Sequence, residues 1–398
     1  TDLLTHALES TIMRVEVFAT PLSKGMRQDD EMRTESMADD MWTISRCLDW
    51  TRGYLEKKGD ERARYTAELL LTSVTGMSRV ELYMNFDRPL DQSELSRMHD
   101  AVVRRAKGEP VQYITGATGF RMIDVLCEPG VLIPRPETEV LVGEVLDYLD
   151  HEVFESRGAM ARKRASLPWN GELDAAADLE RARAESNEVD EGVDGDASPR
   201  EASGDSTADA AAGASDPCEE VAEVAHVLEV GCGTGCIVLS LASERPAQVE
   251  CVAIDINPQA VALTKKNRDA LGIDVATVSV REGDLVSPVT DDEAGTFDVL
   301  VSNPPYIPHE VMETLPPEVV DFEPGLALEG GDDGLSVFRR LLDAAPRMLK
   351  PGGLFACELF EESLDEAADL CRAAGMVDVR IVFDLTHRPR IVLAKTAA

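Results

Sequence analysis

The segment VLEVGCGTGC, Val227 to Cys236, decides the fold. Its first half is the apolar run of a buried strand, and its second half is a turn that contains Gly231, Gly233 and Gly235. Glycine permits positive φ and lets a ligand approach the backbone, while the helix that follows offers its free N–H groups at the same point. The spacing is GxGxG after Glu229, whereas a dinucleotide fingerprint reads GxGxxG. The segment therefore predicts a strand, a ligand-binding turn and a helix, and the acid favours a ligand with an ammonium group.

Apolar strand-like runs and amphipathic segments alternate after this turn. The parallel strands are predicted in VECVAID at 249–255, ATVSVREGD at 276–284, FDVLVSNPP at 297–305 and GLFACEL at 353–359. A carboxylate, Glu358, stands in the last run, but the sequence alone does not decide whether it is buried near the site, and we assign it no role. The runs at 376–384 and 390–395 predict a closing antiparallel pair. Because such alternation builds a parallel sheet covered on both faces, we predict an α/β Rossmann-like domain with ligands at the carboxyl ends of its strands.

Two aspartates stand at the ends of the second and third of these strands. Asp255 in VAIDINP has roughly the spacing at which a Rossmann-like fold presents a carboxylate to ribose hydroxyls, but it also suits the cap of a helix that begins at Pro258. Asp284 in REGDL suits a hydrogen bond from an adenine amino group, with Leu285 packed on the ring, or a simple turn. Both interpretations stay open for each aspartate.

The fourth strand ends in Asn303, Pro304, Pro305 and Tyr306, which we call the NPPY corner. Proline lacks the N–H that a parallel ladder needs, so two prolines fix the exit from the sheet and stiffen the loop. If the Asn303 side-chain oxygen and the Pro304 carbonyl accept the two N–H bonds of an amide or exocyclic amine, its lone pair turns toward an electrophilic methyl group. Tyr306 would then stack on the planar target. The corner thus predicts alkylation of a weakly nucleophilic nitrogen, of either an amide or an adenine.

The chain before the glycine turn changes composition several times. ARYTAELLLTSVTG at 63–76 has helical spacing, and the β-branched stretch at 111–135 is interrupted by glycine and proline as in a hairpin. A later stretch rich in Ala, Asp, Glu, Ser and Gly cannot bury enough apolar surface to become ordered. We predict a poorly defined extension at 1–40, a small helical domain at 41–107, a hairpin connector at 108–135, and a catalytic domain at 136–398 with an acidic disordered insertion at 155–223.

Composition narrows the possible partners. The 398 residues carry a formal net charge of -36, which argues against nonspecific binding to nucleic acid or anionic membrane, because phosphate contacts need clustered Lys and Arg. The eight cysteines include no CxxC pair and no histidine at zinc-finger spacing, so we expect reduced thiols and no metal. No segment approaches the about 20 apolar residues that span a bilayer, and the N-terminal stretch lacks an unbroken apolar run. We expect a cytoplasmic protein.

Three more stretches stand around these motifs: GEPVQYITG at 108–116, GVLIPRPETEVLV at 130–142 and DFEPGLAL at 321–328. With the glycine turn and the NPPY corner, they make the chain from Met41 onward resemble the bacterial peptide chain release factor glutamine-N5 methyltransferases. The resemblance implies a protein-(glutamine-N5) methyltransferase that uses S-adenosyl-L-methionine. Leu285 stands where family members usually have an aromatic residue. The implied donor-binding residues are Glu229, Gly231, Cys232, Gly233, Thr234, Gly235, Asp255, Asp284, Leu285 and Asn303, and the implied catalytic and glutamine-binding residues are Asn303, Pro304, Pro305 and Tyr306.

By the same resemblance, the target is the glutamine of the Gly-Gly-Gln motif of class I peptide chain release factors, and the helical domain helps to dock them. One alternative is a glutamine-N5 methyltransferase of a ribosomal protein. Another is an adenine-N6 DNA methyltransferase, which should carry a basic cleft, whereas the large insertion here is acidic. A donor-binding scaffold without catalysis is a third, and the intact NPPY corner argues against it. We expect a protein substrate, with no direct nucleic-acid or membrane partner.

Overall fold

A computed structural model describes residues 41–155 and 224–398. The predicted extension at 1–40 and nearly all of the predicted insertion at 155–223 lie outside these residues. Within the two described ranges, a group of helices, a small hairpin and a large mixed sheet follow one another along the chain. No helix in these ranges is long and apolar enough to cross a membrane. The predicted fold class is confirmed.

The first five helices are α1 (Ile44–Lys57), α2 (Ala63–Thr75), α3 (Arg79–Met84), α4 (Gln92–Ala106) and α5 (Val111–Thr115). α4 begins in a capping box, in which the Asp91 side chain accepts the N–H of Glu94 and the Glu94 carboxylate accepts the N–H of Asp91. Buried apolar residues of the first four helices, among them Leu71 and Met98, pack together. This part of the chain therefore has a hydrophobic core of its own.

The stretch predicted as a hairpin begins with a helix instead. Pro110 precedes α5, and Gly116 ends it with a φ of 81°. Only after this turn do β1 (Ala117–Phe120) and β2 (Ile123–Leu126) pair as an antiparallel hairpin. The proline and the glycine therefore bound one short helix, although its β-branched residues favour a strand.

The main sheet follows a long helix, α6 (Thr138–Tyr148), which continues as a π-helical turn over Leu149–Phe154. β3 pairs in parallel with β4 and with β6, β4 with β5, and β6 with β7, whereas β9 is antiparallel to β7 and β8. Because the chain order reverses on the two sides of β3, a crevice opens at the carboxyl ends of β3 and β6. The seven strands are β3 (Ala225–Val230), β4 (Val249–Asp255), β5 (Val278–Glu282), β6 (Phe297–Ser302), β7 (Leu349–Glu358), β8 (Val377–Phe383) and β9 (Pro389–Lys395), in the spatial order 5-4-3-6-7-9-8.

Helices cover both faces of this sheet. α6, α7 (Cys236–Glu244) and α8 (Pro258–Ala270) pack with the hairpin on one face. α11 (Ser336–Met348) and α12 (Leu364–Ala373) pack on the other, after the short helices α9 (His309–Met312) and α10 (Pro317–Val320). The layers leave the carboxyl ends of the parallel strands uncovered by these long helices.

The segment 309–329, which follows the NPPY corner, joins the helical part of the chain to the sheet. Arg105 in α4 pairs with Glu318 at 2.8 Å, and Arg135 pairs with the buried Glu323 at 2.5 Å. Between these ion pairs, Phe322 packs against the buried Tyr113. The segment is thus fixed to α4, to α5 and to the chain just before α6 while it borders the crevice.

Candidate active site

A cavity of about 220 Å³ lies at the carboxyl ends of β3, β4, β5 and β6. The predicted residues that line it are Gly231, Gly233, Asp255, Asp284, Leu285, Asn303, Pro304 and Pro305. The predicted residues outside its lining are Glu229, Cys232, Thr234, Gly235 and Tyr306. The structure therefore brings the four motifs to one place, and the contacts below show what each residue does there. Their roles toward a ligand stay predictions.

The glycine turn presents its backbone to the cavity. Gly231 and Gly233 have φ of 77° and 55°, and the Gly231 N–H is donated to the carbonyl of Ile254 at 2.8 Å. Gly235 caps α7 with a φ of 81°, and a Cβ there would lie 2.6 Å from Cγ2 of Thr264. Both the conformation and the lack of space therefore call for glycine at this position.

Two predicted residues support the turn from behind. Cys232 is buried, with its Sγ 3.4 Å from Oγ1 of Thr264, and burial raises the pKa of its thiol well above the usual range. The carbonyl of Thr234 accepts a hydrogen bond from Nδ2 of Asn267 at 2.9 Å. Cys232 is thus an inert, space-filling thiol.

Glu229 also lies behind the turn. Its side chain is fully buried, Oε2 accepts the N–H of Val238 at 3.1 Å, and Oε1 has no hydrogen-bond partner among residues 41–155 and 224–398. Burial raises the pKa of this carboxyl well above its ordinary value. Glu229 therefore braces the first turn of α7, and its direct contact with an ammonium group stays a prediction.

Asp255 lines the cavity with both carboxylate oxygens held in place. Oδ2 accepts the N–H of Gly233 at 2.9 Å, and Oδ1 accepts the N–H of Asn257 at 2.8 Å. Burial raises its pKa. The cap of α8 is Asn257, whose side chain accepts the N–H of Gln259 at 2.9 Å, so the interpretation of Asp255 as that cap is wrong. The Asp255 carboxylate has about four lone pairs in total, more than these main-chain groups use, so it can still accept a hydroxyl.

Asp284 lies at the outer end of the cavity, in an ion pair that the sequence did not predict. Its Oδ2 is 2.7 Å from Nη2 of Arg340 in α11, and both side chains are about half exposed. The next residue, Leu285, also lines the cavity and has a φ of 50°, which is unusual for a residue with a Cβ. This end of the cavity thus combines an exposed acid, Asp284, with the apolar side chain of Leu285, whose backbone conformation is strained.

The Asn303 side chain is fixed by a residue 165 positions earlier. Its Nδ2 donates to Oγ1 of Thr138, the first residue of α6, at 3.1 Å. Because the side-chain nitrogen, and not the oxygen, faces Thr138, the Asn303 side-chain oxygen points to another partner that it can accept from. This oxygen is the acceptor that alkylation of an amide or an amine requires at the NPPY corner.

Glu358, at the end of β7, connects the other parts of the corner. Its Oε2 accepts the hydroxyl of Thr138 at 2.7 Å, and its Oε1 accepts that of Tyr306 at 3.2 Å. The carboxyl is 1% exposed, and burial raises its pKa to about 7 although both hydrogen bonds oppose the shift. Tyr306 is thereby tied to Glu358 at its hydroxyl, and the stacking of its ring on a target stays a prediction.

Part of the remaining wall comes from two segments whose cavity residues were not predicted one by one. Val131 and Leu132 lie at the end of the connector, and Pro324 and Leu326 lie in the segment 309–329. The signal for both was present as the stretches GVLIPRPETEVLV and DFEPGLAL. The sequence of these two stretches does not predict how their backbone runs around the cavity.

Metal chemistry has no ligand set in the described ranges. Across residues 41–155 and 224–398, no three His, Cys, Asp or Glu side chains form a group that could hold a metal ion. The two chemically relevant carboxylates, Asp255 and Glu358, are instead each satisfied by hydrogen bonds. The charged side chains that line the cavity are Asp255, Asp284, Glu329 and Arg340.

Two family models match the chain. The model "PrmC N-terminal domain" matches residues 46–116, and the model "Methyltransferase small domain" matches residues 218–316. The first covers the helices α1 to α5, and the second covers the glycine turn, both aspartates and the NPPY corner. The first model thus lies on the helical part, and the second lies on the part of the sheet from β3 to β6.

Curated relatives match over most of the chain. The release factor glutamine methyltransferase of Geobacter sulfurreducens is 36% identical over 89% of this chain and 96% of its own length. That of Caulobacter vibrioides is 32% identical over 88% of this chain and 96% of its own. Among solved structures, a methyltransferase from Pyrococcus furiosus is 20% identical over 45% of this chain and 78% of that chain, with a TM-score of 0.34. The relatives span both the helical part and the sheet.

Proposed function

The chain belongs to the release factor glutamine methyltransferases, and from this premise we propose that it transfers the methyl group of S-adenosyl-L-methionine to the side-chain nitrogen of a glutamine. The glutamine is that of the Gly-Gly-Gln motif in class I peptide chain release factors. One observation supports the proposal most directly. A Cβ placed on Gly231 would lie 3.8 Å from the carbonyl oxygen of Asn303, so the donor turn and the NPPY corner are in van der Waals range. A donor on the first and a nitrogen on the second would be neighbours.

The residues of the cavity fit this donor. Backbone turns at Gly231 and Gly233 allow close approach, Asp255 offers two acceptor oxygens to a ribose, and Leu285 supplies apolar surface near Asp284 for an adenine. When bound, S-adenosylmethionine supplies an electrophilic methyl group. The fit thus rests on the chemistry of the lining residues.

The chain's own contribution to the reaction is to orient the nitrogen. The Asn303 side-chain oxygen and the Pro304 carbonyl accept the two N–H bonds of the glutamine amide, and this turns the nitrogen lone pair away from its conjugated position. The two prolines keep these acceptors in place. A strong general base is not needed, because the nitrogen becomes acidic as it gains its new bond. Orientation is therefore the main catalytic device of the corner.

The wider chain fits a protein substrate in the cytoplasm. We assign the helical domain at 41–107 to docking of the release factor, since Arg105 of this domain pairs with Glu318 in the segment 309–329, which borders the cavity. The connector at 108–135, which contains α5 and the hairpin, and the catalytic domain at 136–398, interrupted at 155–223, complete the proposed organisation. The net charge of -36 disfavours direct binding to nucleic acid. We therefore propose recognition of the release factor through protein contacts.

A methyl-transfer assay tests the proposed function. Purified enzyme is incubated with labelled S-adenosylmethionine and, in parallel, with a class I release factor, the same factor with the motif glutamine replaced by alanine, ribosomal protein, and DNA. We expect label only on the unaltered factor, on the Gly-Gly-Gln glutamine. Label on ribosomal protein or DNA alone, or equal label on the altered factor, would contradict the proposal.

A further inference from the structure

We infer that Glu358 is a positioning residue for methyl transfer, which determines through Thr138 the atom of the Asn303 side chain that faces the target nitrogen. The inference rests on the proposed function. Glu358 does not line the cavity. Its carboxylate accepts hydrogen bonds from two hydroxyl groups, that of Tyr306 in the corner and that of Thr138, which contacts Asn303. Its effect would therefore be exerted entirely through the residues that it holds.

The direction of the hydrogen bonds carries the argument. An ionised carboxylate can only accept, so the single hydroxyl hydrogen of Thr138 is donated to Glu358, at 2.7 Å. The Thr138 oxygen can then only accept from Asn303, at 3.1 Å, and the amide has its hydrogens on nitrogen. The Asn303 side-chain oxygen is consequently turned away from Thr138 and is free to accept from the target. Without the acceptor at 358, the Thr138 hydroxyl could donate to the Asn303 side-chain oxygen. The Asn303 amide group could then rotate by about 180°, which exchanges its oxygen and nitrogen.

The second oxygen of Glu358 extends the same control to Tyr306. The Tyr306 hydroxyl donates to it at 3.2 Å. One carboxylate therefore holds Tyr306 directly and Asn303 through Thr138, which are the two ends of the NPPY corner. No ion pair to Glu358 within 4.0 Å is present among residues 41–155 and 224–398. Burying a carboxylate without a cation is costly, and an apolar residue would fill a core position at lower cost. The network therefore favours a role beyond packing.

The groups around Glu358 set the form in which it acts. Besides Thr138 and Tyr306, two charged groups act on the Glu358 carboxyl. Repulsion from Glu137, just before α6, raises its pKa, and attraction to Arg390 on β9 lowers it. Cys236 of α7 lies close enough for Glu358 to raise the pKa of its thiol. Burial dominates and brings the pKa of Glu358 to about 7. Below this pH, the protonated carboxyl can donate to Thr138, and the amide of Asn303 loses its fixed orientation.

The expected pH dependence follows because only the ionised Glu358 carboxylate fixes the orientation of the Asn303 amide. The rate at saturating substrates should be highest above pH 7 and should fall about tenfold per pH unit below it, since the pKa of Glu358 is about 7. In Glu358→Gln this acid limb should disappear, because the amide does not titrate. An unchanged acid limb in the variant would overturn the inference.

Thr138 provides a second, independent test. Thr138→Val keeps the shape but removes the hydroxyl, and we expect kcat to fall about tenfold to a hundredfold, with binding of S-adenosylhomocysteine changed less than about threefold. Thr138→Ser, which restores the hydroxyl, should recover most of the rate. Thr51→Val, at a fully buried threonine of α1, is the matched control and should keep the wild-type kcat. Equal rates in Thr138→Val and Thr138→Ser would overturn the inference, and circular dichroism establishes that each variant is folded.

A readout that needs no turnover separates this inference from the proposed function. In ¹⁵N-labelled enzyme, the Asn303 side-chain N–H resonances, assigned by their loss in Asn303→Ala, should titrate near pH 7 in the wild type but not in Glu358→Gln. Solvent exchange of one N–H should accelerate in Thr138→Val. If these signals behave as expected while release factor is not methylated, the proposed function fails and the network stands. If they do not titrate, the inference fails whatever the substrate.

Discussion

The two sides of the cavity are built in different ways. The donor side, formed by the ends of β3, β4 and β5, relies on backbone: Gly231 and Gly233 turn the chain, and Asp255 is held by two main-chain N–H groups. The target side, formed by the ends of β6 and β7 and the start of α6, relies on side chains that hold one another. Its partners are separated by 52, 165 and 220 positions in the chain.

This difference predicts how each side responds to mutation. A backbone-built site loses affinity gradually, because each side chain contributes only part of the binding. A site built from a buried side-chain network loses its geometry when one member is removed, because the remaining polar groups must find new partners. Changes on the target side should therefore reduce turnover, whereas changes on the donor side should reduce binding of the donor.

The largest effect is expected for Asn303→Ala. Loss of the side-chain acceptor should lower kcat about 1000-fold, the order seen when one preorganised hydrogen-bonding group is removed from an active site. The dissociation constant of S-adenosylhomocysteine, measured by titration calorimetry, should change less than about threefold. Asn85→Ala, the same change at an exposed asparagine of the helical part, is the control. Turnover near the wild-type value would remove the proposed mechanism.

Asp255→Asn should show the opposite pattern. The amide can no longer accept both main-chain N–H groups and two ribose hydroxyls, so donor affinity should fall about 10-fold to 100-fold, while kcat at saturating donor stays within about fivefold. Calorimetry and steady-state kinetics measure the two quantities. Asp274→Asn, at an exposed aspartate that accepts the N–H of Ala276, is the matched control. A loss confined to kcat would abolish the contrast between the two sides.

The same contrast explains how far the sequence could be read. Alternating strands and helices predicted the parallel sheet and its antiparallel end, because that pattern is local and repeats along the chain. The glycine turn and Asp255 were equally legible, since a strand end fixes both the position and the direction of the residue that follows it. The donor side is made of such strand ends.

The target side could be predicted only in part. The NPPY corner was visible, but the sequence assigned Glu358 no role, and nothing local connects either to Thr138. That contact depends on the rotation of α6 about its own axis, which tertiary packing sets. The error at 111–115 has a different cause: its β-branched residues suggested a strand, but a proline and a glycine bound a helix there. Long-range geometry was the missing information for Thr138, whereas the helix at 111–115 depends on the local turn residues Pro110 and Gly116.

A smaller effect is expected at Leu285. Its φ of 50° is equally strained for phenylalanine, so Leu285→Phe changes the side chain without changing the backbone preference. If an adenine packs there, the added ring should tighten donor binding about threefold to tenfold through stacking. Calorimetry with S-adenosylhomocysteine measures this change. Weaker binding would place the adenine elsewhere on the donor side.

The smallest effect is expected at Arg340, whose ion pair with Asp284 is about half exposed on both partners. Because water screens such a pair, Arg340→Leu should change the dissociation constant of S-adenosylhomocysteine less than about threefold, and kcat not at all. Arg339→Leu, at the neighbouring arginine that pairs with Asp333 and Glu366 outside the cavity lining, is the control. A tenfold or larger loss specific to Arg340→Leu would mean that this arginine itself holds the donor. The donor side would then depend on a side chain from a distant helix, as the target side does. Only Asp255 and the glycine turn would still be held by backbone groups, so the contrast between the two sides would apply to these residues alone.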